Sequence, residues 1–484
     1  MERSEIFSSK NKTEITLKPT TMKKSIFVIL LSLACVFSAV AQETSEKKEI
    51  VKKGYSYGPL PAVAFDADKG FQLGALLNIY DFGDGTVYPN TRQQWYFEAS
   101  FFTKGSQLFV VSYDSKFLIP GIRFSTALAV TNDNAMDFYG FNGYQSYFDY
   151  EKVDAGKDGN SYIYTPYYRT KRLAALFKAD FIGNIWDNKL FWEAGYHLSH
   201  FKQDAIDREK INKGKDDSEK FPDDQTTLFE QYRKWGIIPD DVAEGGTNST
   251  LRLGLLYDTR DKEAAPSSGI WAEAHVTLAP KFLGTTHPYS KYSATFRQYI
   301  PVVKNDVLTL AYRLNYQGTF GKDAPYYVLP YITTMGQSYD RDGMGGFRTI
   351  RGIMRNRVQG LDMASYNAEA RWRFATFTMG KQNIALGLNC FSDGTTVTKE
   401  YDMSFGRISA DFASESDYRN AMAEYNEYMN KGLDSDKLHV TLGAGFRFIM
   451  NQNFIVCLEY GKPVGKYSKQ DGNGAFYINT GYLF

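Results

Sequence analysis

Apolar and polar side chains alternate in short segments along the chain beyond Gly58. The clearest segment covers residues 307–320, where the odd positions are mostly small or polar and the even positions include Leu308, Leu310, Tyr312, Leu314 and Tyr316. Alternation with a period of two is typical of a β-strand whose two faces meet different surroundings. Residues 440–448 repeat the pattern. The chain is therefore predicted to be built from strands.

About sixteen such segments follow one another between turns rich in Gly, Asp, Asn and Pro. Each is close to the roughly 9 to 11 residues, or somewhat more, that a tilted strand needs to cross a membrane. The predicted strands cover residues 59–66, 69–81, 92–103, 105–117, 120–131, 164–183, 188–203, 249–262, 268–280, 289–301, 305–320, 361–377, 382–397, 438–450, 453–464 and 474–484.

The connections between these strands alternate in length. Those after even-numbered strands are mostly tight, whereas four connections after odd-numbered strands are long, namely 132–163, 204–248, 321–360 and 398–437. Short turns at one end and long loops at the other are typical of an outer-membrane barrel. We therefore predict an all-β fold, a sixteen-stranded antiparallel transmembrane β-barrel with both termini in the periplasm.

A soluble all-β protein of two sandwiches would also show short alternating strands. Its large aromatic side chains would have no reason to gather near strand ends. In this chain they do so at Tyr289, Tyr292 and Tyr299, and again at Phe476, Tyr477, Tyr482 and Phe484. Girdles of aromatic residues at the two membrane interfaces account for this placement better, so we favour the membrane barrel.

The composition supports the same fold class. The 484 residues include 35 Tyr, 35 Phe and 6 Trp, yet the mean hydropathy is -0.40. A helical membrane protein would need apolar runs of roughly 20 residues, and a disordered chain would be poor in aromatic residues. The 56 Lys and Arg balance the 55 Asp and Glu, so no net charge attracts the protein to nucleic acid.

The one continuous apolar run, residues 26–41, follows two lysines and ends on Ala39, Val40 and Ala41. A basic start, an apolar stretch too short to span a membrane and an Ala-x-Ala cleavage site form a secretory signal peptide. We expect a mis-assigned upstream extension at residues 1–21, the signal peptide at residues 22–41, a short periplasmic segment at residues 42–58 and the barrel at residues 59–484. This order predicts the outer membrane of a Gram-negative bacterium.

Catalytic and metal-binding chemistry is not indicated. Ser199 and His200 are neighbours, and neighbours on a strand point to opposite faces, so they cannot form a nucleophile and base. His197 and His200 also diverge, which disfavours a metal pair. We expect no catalytic residue, no metal, no cofactor and no enzymatic activity. The mixed charges of residues 204–225 and 411–437 are typical of solvated surface.

Three segments carry more specific signals than the alternation. A short turn joins two strands through Tyr257, Asp258, Thr259, Arg260, Asp261, Pro266 and Gly269. The loop 321–360 contains Gly345, Gly346, Phe347, Arg348, Thr349, Ile350, Arg351, Gly352 and Ile353. The chain stops at Phe484, with Tyr482 and Ile478 expected on the same strand face. Together these segments resemble the BamA/TamA-type superfamily of outer-membrane assembly and translocation factors, also called the bacterial surface antigen family.

The resemblance covers essentially the whole mature chain and implies a particular position for loop 321–360. In that family the sixth external loop of a sixteen-stranded barrel folds back into the lumen, with an Arg-Gly pair at its tip followed by an aromatic residue. Here the pair is Arg351 and Gly352, and Ile353 follows, which can make an apolar contact but cannot stack. The terminal aromatic residues, here Tyr482 and Phe484, are the signal that delivers such barrels for assembly.

A guanidinium inside a barrel needs carboxylate partners, because an unpaired buried charge costs several kcal/mol. Glu369 lies on the strand face opposite Trp372, so it faces the lumen if Trp372 faces lipid. The family pattern has an inward Asp on the next strand, where this chain has Asp393. We therefore predict that Arg351 pairs with Glu369 and Asp393, while Gly352 lets the tip backbone pass close to the wall. The alternative is that these are unrelated lumen charges.

The resemblance implies a non-enzymatic protein of outer-membrane biogenesis that inserts or translocates proteins or lipids, with a lumen plug loop. The alternative is an outer-membrane pore, or a structural or accessory barrel subunit of a larger envelope complex. Assembly factors of this family carry periplasmic POTRA domains, and the 17 residues from Gln42 to Gly58 are too few for one. We expect contact with outer-membrane lipid and with a partner protein that supplies periplasmic domains, or a homodimer.

The first and last strands are also predicted to form a weak seam. Pro59 and Pro61 cannot donate hydrogen bonds to a neighbouring strand, and the last predicted strand contains Gly481. In the assembly factors of the family this seam opens sideways into lipid.

Overall fold

The structure, a computed structural model, describes residues 50–66, 70–103, 105–150, 153, 161–217, 220–303, 306–322, 324–337 and 343–484. The predicted upstream extension at 1–21 and signal peptide at 22–41 lie outside the described residues. So do residues 42–49 of the predicted periplasmic segment.

Sixteen strands form one antiparallel sheet in sequence order. They are β1 (Tyr55–Asp66), β2 (Gly70–Asp81), β3 (Gln93–Phe102), β4 (Gln107–Ile119), β5 (Ile122–Asp137), β6 (Arg169–Trp186), β7 (Leu190–Asp204), β8 (Gly245–Asp258), β9 (Gly269–Ala279), β10 (Tyr289–Val303), β11 (Leu308–Thr319), β12 (Asp362–Met379), β13 (Gln382–Lys399), β14 (His439–Met450), β15 (Phe454–Val464) and β16 (Ala475–Thr480). The predicted strand number and barrel fold are confirmed. The first strand starts at Tyr55, before the predicted start of the barrel at residue 59.

The strands present apolar side chains outward and polar side chains to the lumen. In β11, Leu310 and Leu314 are exposed on the outer face, whereas Thr309 and Asn315 are buried on the inner face. The inner face of β11 continues onto the neighbouring strand, since Thr309 is paired with Arg371 of β12. An apolar outer surface matches the bilayer, and the alternation therefore collects the charged residues inside the barrel.

Several of the tyrosines assigned to the membrane girdles face the lumen instead, among them Tyr289 and Tyr299. Tyr292 lies on the outer face, where its ring stacks with Tyr316. Tyr299 is buried inside, and Tyr289 lines a small cavity within the barrel. The prediction was wrong for these two because residues 289 and 299 share one strand face and residue 292 lies on the other.

The two ends of the barrel differ as predicted. At one end, here called the turn end, the connections include residues 187–189, 380–381 and 451–453. At the other, here called the loop end, the four long loops are residues 138–168, 205–244, 320–361 and 400–438.

Short helices lie within the long loops. They are α1 (Arg208–Asn212), α2 (Leu228–Lys234), α3 (Asp240–Ala243) and α4 (Glu415–Lys431), and described 3-10 turns cover Gly143–Gln145, Ser161–Tyr168, Lys281–Leu283, Tyr326–Val328, Ser409–Asp411 and Ser468–Asp471. A capping box starts α2, because Thr227 Oγ1 accepts a hydrogen bond from the Glu230 N–H while the Glu230 carboxylate accepts one from the Thr227 N–H. Within the described residues, none of the helices combines the length and the apolar character needed to cross a bilayer.

The long loops pack together over the loop end around a buried aromatic core. The Phe138 ring meets Phe229 and Tyr232 edge to face, at 5.6 Å between ring centroids in both contacts. Trp235 and Phe141 are buried in the same cluster. The prediction of solvated loops therefore fits the charged residues but not the aromatic residues between them, whose irregular spacing indicated no packed face.

The edge strands β1 and β16 do not pair with each other, although β1 approaches β15. Within the described residues, β1 pairs with β2 and β16 pairs with β15, and no ladder joins β1 to β16. A Cβ placed on Gly58 of β1 would lie 2.7 Å from the Phe454 ring of β15. The sheet thus curls until β1 reaches β15, while β1 and β16 each have only one paired neighbour.

Candidate functional site

Loop 320–361 folds into the lumen, where its first half is held by one wall of the barrel. The Thr333 N–H donates to the Gln317 side chain at 3.1 Å, and Arg252 donates to the Thr334 carbonyl at 2.7 Å. The Gly336 N–H donates to Asp180 at 3.0 Å. Inward side chains of β6, β8 and β11 thus satisfy backbone groups that the loop would otherwise bury unpaired.

The second half of the loop carries Arg351 to the opposite wall. The Arg351 side chain has no exposed surface, and its Nε and Nη2 donate to the two oxygens of Asp393 at 2.8 and 2.9 Å. Its Nη1 donates to Glu369 at 2.5 Å and to Glu459 at 2.8 Å. The Arg351 backbone N–H adds a further bond to Asp393 at 3.0 Å. The structure therefore places both predicted carboxylates against Arg351 and adds a third.

Two more arginines complete this group. Arg371 Nε donates to Glu369 at 2.7 Å, and Arg447 Nη2 donates to Glu369 at 3.0 Å and to Glu459 at 3.1 Å. We call the six side chains the ion cluster: Arg351, Glu369, Arg371, Asp393, Arg447 and Glu459. Its three positive and three negative charges balance, and this pairing offsets part of the cost of burying them.

Aromatic rings cover the guanidinium groups of the ion cluster. The Arg351 Cζ lies 3.5 Å from the centroid of the Phe391 ring. The Tyr482 ring lies against both Arg371 and Arg447, at 4.4 and 4.2 Å. These cation–π contacts add to the attraction that holds the guanidinium groups in place.

Gly352 allows the loop tip to touch the barrel wall. Its φ is +98°, and a Cβ at this position would lie 2.6 Å from the Gly461 carbonyl carbon in β15. Its N–H donates to the Tyr477 hydroxyl at 2.9 Å. Any larger residue would push the tip from the wall and displace Arg351 from its carboxylates.

Ile353 makes the apolar contact that its side chain predicts. It is buried in a small cluster within the loop and at its exit into β12, together with Met344, Ile350, Val358, Met363 and Val397. The tip is therefore supported by packing instead of ring stacking.

The strand-turn motif at the turn end forms a self-contained turn. Arg260 binds both oxygens of Asp258, at 2.9 and 2.8 Å. Asp261 accepts hydrogen bonds from the backbone N–H groups of Ser267 and Ser268. Gly269 has a φ of +102° and Pro266 is buried beside the turn. None of these motif residues contacts Arg351, so the motif shapes the turn between β8 and β9.

The chain terminus departs from the predicted arrangement. Strand β16 ends at Thr480, and Gly481 turns the last residues inward with a φ of +82°. Phe484 is 5% exposed and packs against Tyr299, whereas Ile478 is 70% exposed on the outer face. The expectation that Ile478, Tyr482 and Phe484 share one strand face was therefore wrong, because the strand ends at Thr480, before Tyr482 and Phe484.

The C-terminal residue also touches the ion cluster. Arg371 Nη2 donates to the Phe484 carbonyl at 3.0 Å. Arg371, Arg447 and Glu459 are buried on the inner face, as Glu369 is, but the sequence offers no signal that they join Arg351.

A second buried network joins the loops at the loop end. His439 lies between two carboxylates, with its Nδ1 2.7 Å from Asp471 and its Nε2 3.0 Å from Asp436, and its ring stacks on Tyr144. Asp436 also accepts the N–H groups of Val397 and Tyr144. Burial alone would raise the pKa of Asp436, but the hydrogen bond and charge of His439 outweigh it and hold that pKa below its usual value.

The residues considered for catalysis stay apart. His200 shares a hydrogen bond with Thr247, and Ser199 accepts one from Asn248. In the described part of the chain, no group of three or more His, Cys, Asp or Glu is arranged to hold a metal ion.

The family follows from comparison with known proteins. The model of the Omp85 superfamily domain matches residues 112–484, which is most of the chain. The chain belongs to the Omp85 superfamily. All six residues of the ion cluster of this Omp85 barrel lie inside the matched region.

Solved structures of similar shape include other outer-membrane proteins. BamA from Haemophilus ducreyi lacking POTRA domains 1-3 is 14% identical with a TM-score of 0.47, and the match covers 89% of this chain and 69% of that one. CdiB from Escherichia coli is 9% identical with a TM-score of 0.47, covering 90% and 62% of the two chains. CdiB from Acinetobacter baumannii is 12% identical with a TM-score of 0.43, covering 89% and 60%. No protein of curated function matches this Omp85 barrel.

Proposed function

We propose that this Omp85 barrel is a non-enzymatic factor of outer-membrane biogenesis that inserts or translocates proteins or lipids. Loop 320–361 acts as a plug in the lumen, and the ion cluster is its lock. Both termini face the periplasm. The barrel works in contact with outer-membrane lipid and with a partner protein that supplies periplasmic domains, or with a second copy of itself.

The observation that carries this proposal is the attachment of the loop to opposite walls of the lumen. Thr333 and Gly336 bind one wall, and Arg351 binds the other through four side-chain hydrogen bonds. A porin keeps a water-filled channel open, so a buried ion cluster that fastens a loop across the lumen is out of place in one. A regulated passage requires a loop whose attachment to the barrel wall can be broken, and ion pairs can supply such an attachment.

Depletion of the protein in its own host tests the proposal. We expect the abundance of other outer-membrane barrels, or of surface lipids, to fall before general growth defects appear. Re-expression of the wild-type chain and of Arg419→Gln should restore them, because Arg419 lies on the exposed face of α4 and is 76% exposed. Re-expression of Arg351→Gln should not. Unchanged barrels and surface lipids after depletion would contradict the proposal.

The second candidate is a pore or a structural or accessory subunit of an envelope complex. Large apolar side chains stand exposed near the loop end, among them Phe282 and Ile408. Such side chains are used in protein contacts, which favours the subunit within this alternative. Planar-bilayer recording separates the candidates: a plugged barrel gives low, flickering conductance, whereas a pore gives a steady large one. Co-purification in mild detergent identifies a stable partner.

A further inference from the structure

A cavity of about 460 Å³ lies in the lumen between the inserted loop and the turn end. One side is formed by the loop segment Thr333 to Gln337, and the other side reaches turn residues such as Asn90 and Glu263. This volume is in the range of small-ligand sites. None of the six residues of the ion cluster lines this cavity, although the C-terminal residues that touch the cluster do.

Two arginines face this cavity side by side. Arg297 of β10 and Arg313 of β11 are direct cross-strand partners, and both line the cavity. Like charges directly opposite each other on one sheet face are destabilising. Neither guanidinium forms an ion pair with a carboxylate in the described part of the chain, in contrast to Arg123 and Arg260, which also line the cavity and bind Asp114 and Asp258.

The surroundings hold the two guanidinium groups in place without neutralising them. Arg297 stacks over the Trp271 ring at 4.0 Å, and its buried Nε has no hydrogen-bond partner. Arg313 is oriented by neutral groups, since its Nε donates to Asn367 at 2.9 Å and its Nη2 to the Thr349 carbonyl at 3.4 Å.

The carboxylates that line the cavity are engaged elsewhere or lie on another wall. Glu273 accepts a hydrogen bond from His275 at 2.8 Å, and Glu193 belongs to β7. Glu263 pairs with Lys116 and with Arg123 at the turn end. Positive charge therefore concentrates at the wall formed by β10 and β11, where the Arg297 Nε–H has no hydrogen-bond acceptor.

The geometry points to an oxyanion-binding site at Arg297 and Arg313 that takes a phosphate group, either free or as the headgroup of a lipid. Two preorganised guanidinium forks can each offer parallel N–H donors to one phosphate, which is the geometry that arginine matches best. Binding would also remove the repulsion between the two arginines. The site is separate from the ion cluster that holds the loop and does not depend on the proposed function.

The test titrates the purified full chain, in a non-ionic detergent, with inorganic pyrophosphate by calorimetry and thermal unfolding. We expect saturable binding and a rise in the unfolding midpoint. Arg297→Gln and Arg313→Gln should each weaken binding by about tenfold or more, since each loses charge-assisted hydrogen bonds. Arg419→Gln should bind as the wild type does.

A lipid arm distinguishes the source of the phosphate. The same variants are placed in nanodiscs that contain phosphatidylglycerol, and the lipids they retain are counted by native mass spectrometry. Retention that depends on Arg297 and Arg313, without pyrophosphate binding, identifies a headgroup site. Pyrophosphate binding alone identifies a site for a soluble phosphate.

A stability measurement keeps the proposal testable if a variant fails to bind because it is misfolded. Without phosphate, Arg297→Gln should unfold at the same temperature as the wild type or a higher one, because the repulsion that it removes offsets the lost stacking on Trp271 and its Nε makes no hydrogen bond. The proposal is overturned if neither probe binds the wild-type chain, or if both bind the two variants as tightly as the wild type.

Discussion

Arg351 in the loop tip binds Asp393 in β13 three times, twice through its guanidinium and once through its own backbone N–H. The side-chain pair fixes the direction of the guanidinium, and the backbone bond fixes the position of the tip. One carboxylate thereby sets both the place of the loop and the orientation of the arginine that meets Glu369 and Glu459.

Arg351→Gln should destabilise the folded barrel by about 3 to 5 kcal/mol, because it leaves three buried carboxylates facing two arginines. Urea unfolding in detergent, followed by heat-modifiable mobility on gels, measures the loss. Arg351→Lys should lose less, since it keeps the charge but not the fork.

Two further variants control this measurement. Arg419→Gln should leave stability unchanged. Adding Glu459→Gln to Arg351→Gln restores the charge balance, so the double variant should be more stable than the sum of the two single effects predicts. Strict additivity would show that the ion cluster does not act as a unit.

Gly352→Ala should destabilise the protein more than Gly465→Ala. Both residues have similar positive φ values, +98° and +105°, so both substitutions strain the backbone to a similar degree. Only Gly352 has a close neighbour, with Gly461 2.6 Å from the added Cβ, whereas nothing lies within 4 Å at Gly465. The difference between their thermal midpoints therefore measures the clash of tip and wall. Equal midpoints would contradict the close approach.

Asp436 should make the loop end sensitive to acid. Its pKa is lowered in the folded protein, so its stabilising effect is complete above the unfolded value of about 3.9 and is lost as the pH falls through the lower folded value. Asp436→Asn should therefore be less stable than the wild type at neutral pH, and the gap should close below about pH 4. Thermal unfolding across this pH range measures it.

The matched control for the acid response is Asp217→Asn. Asp217 is 96% exposed, so its substitution should leave the pH dependence of the loop end nearly unchanged. A gap between wild type and Asp436→Asn that stays constant from neutral pH to acid would disprove the role of the Asp436 charge.

Phe484→Ala should cost about 3 to 5 kcal/mol, as is usual when a buried phenylalanine is truncated. The ring is buried against Tyr299, and the same residue's carbonyl accepts from Arg371. Phe476→Ala is the control, since Phe476 lies on the same terminal segment but is exposed on the outer face. Refolding yield and urea midpoint in detergent should fall for Phe484→Ala alone. Equal losses would indicate that both residues act only as part of a general terminal signal.

Alternation predicted most of the architecture and part of the ion cluster. Strand number, the faces of Glu369 and Trp372, and the long loops all follow from local sequence, because a period of two assigns each side chain to a face without reference to distant residues. The aromatic core of the loops was missed since its residues follow no period. The inward turn of Phe484 was missed because Gly481 ends the strand.

The sequence by itself determined that this protein is a barrel with charged residues inside and apolar residues outside. Only the tertiary structure decided which of the inner charges meet. Arg351 and Glu459 are 108 residues apart, and their contact depends on the path of loop 320–361 and on the register of β12 to β15. Alternation is a local property of each strand, whereas register and loop path are set by hydrogen bonds between distant segments, so no pattern within one strand can encode them.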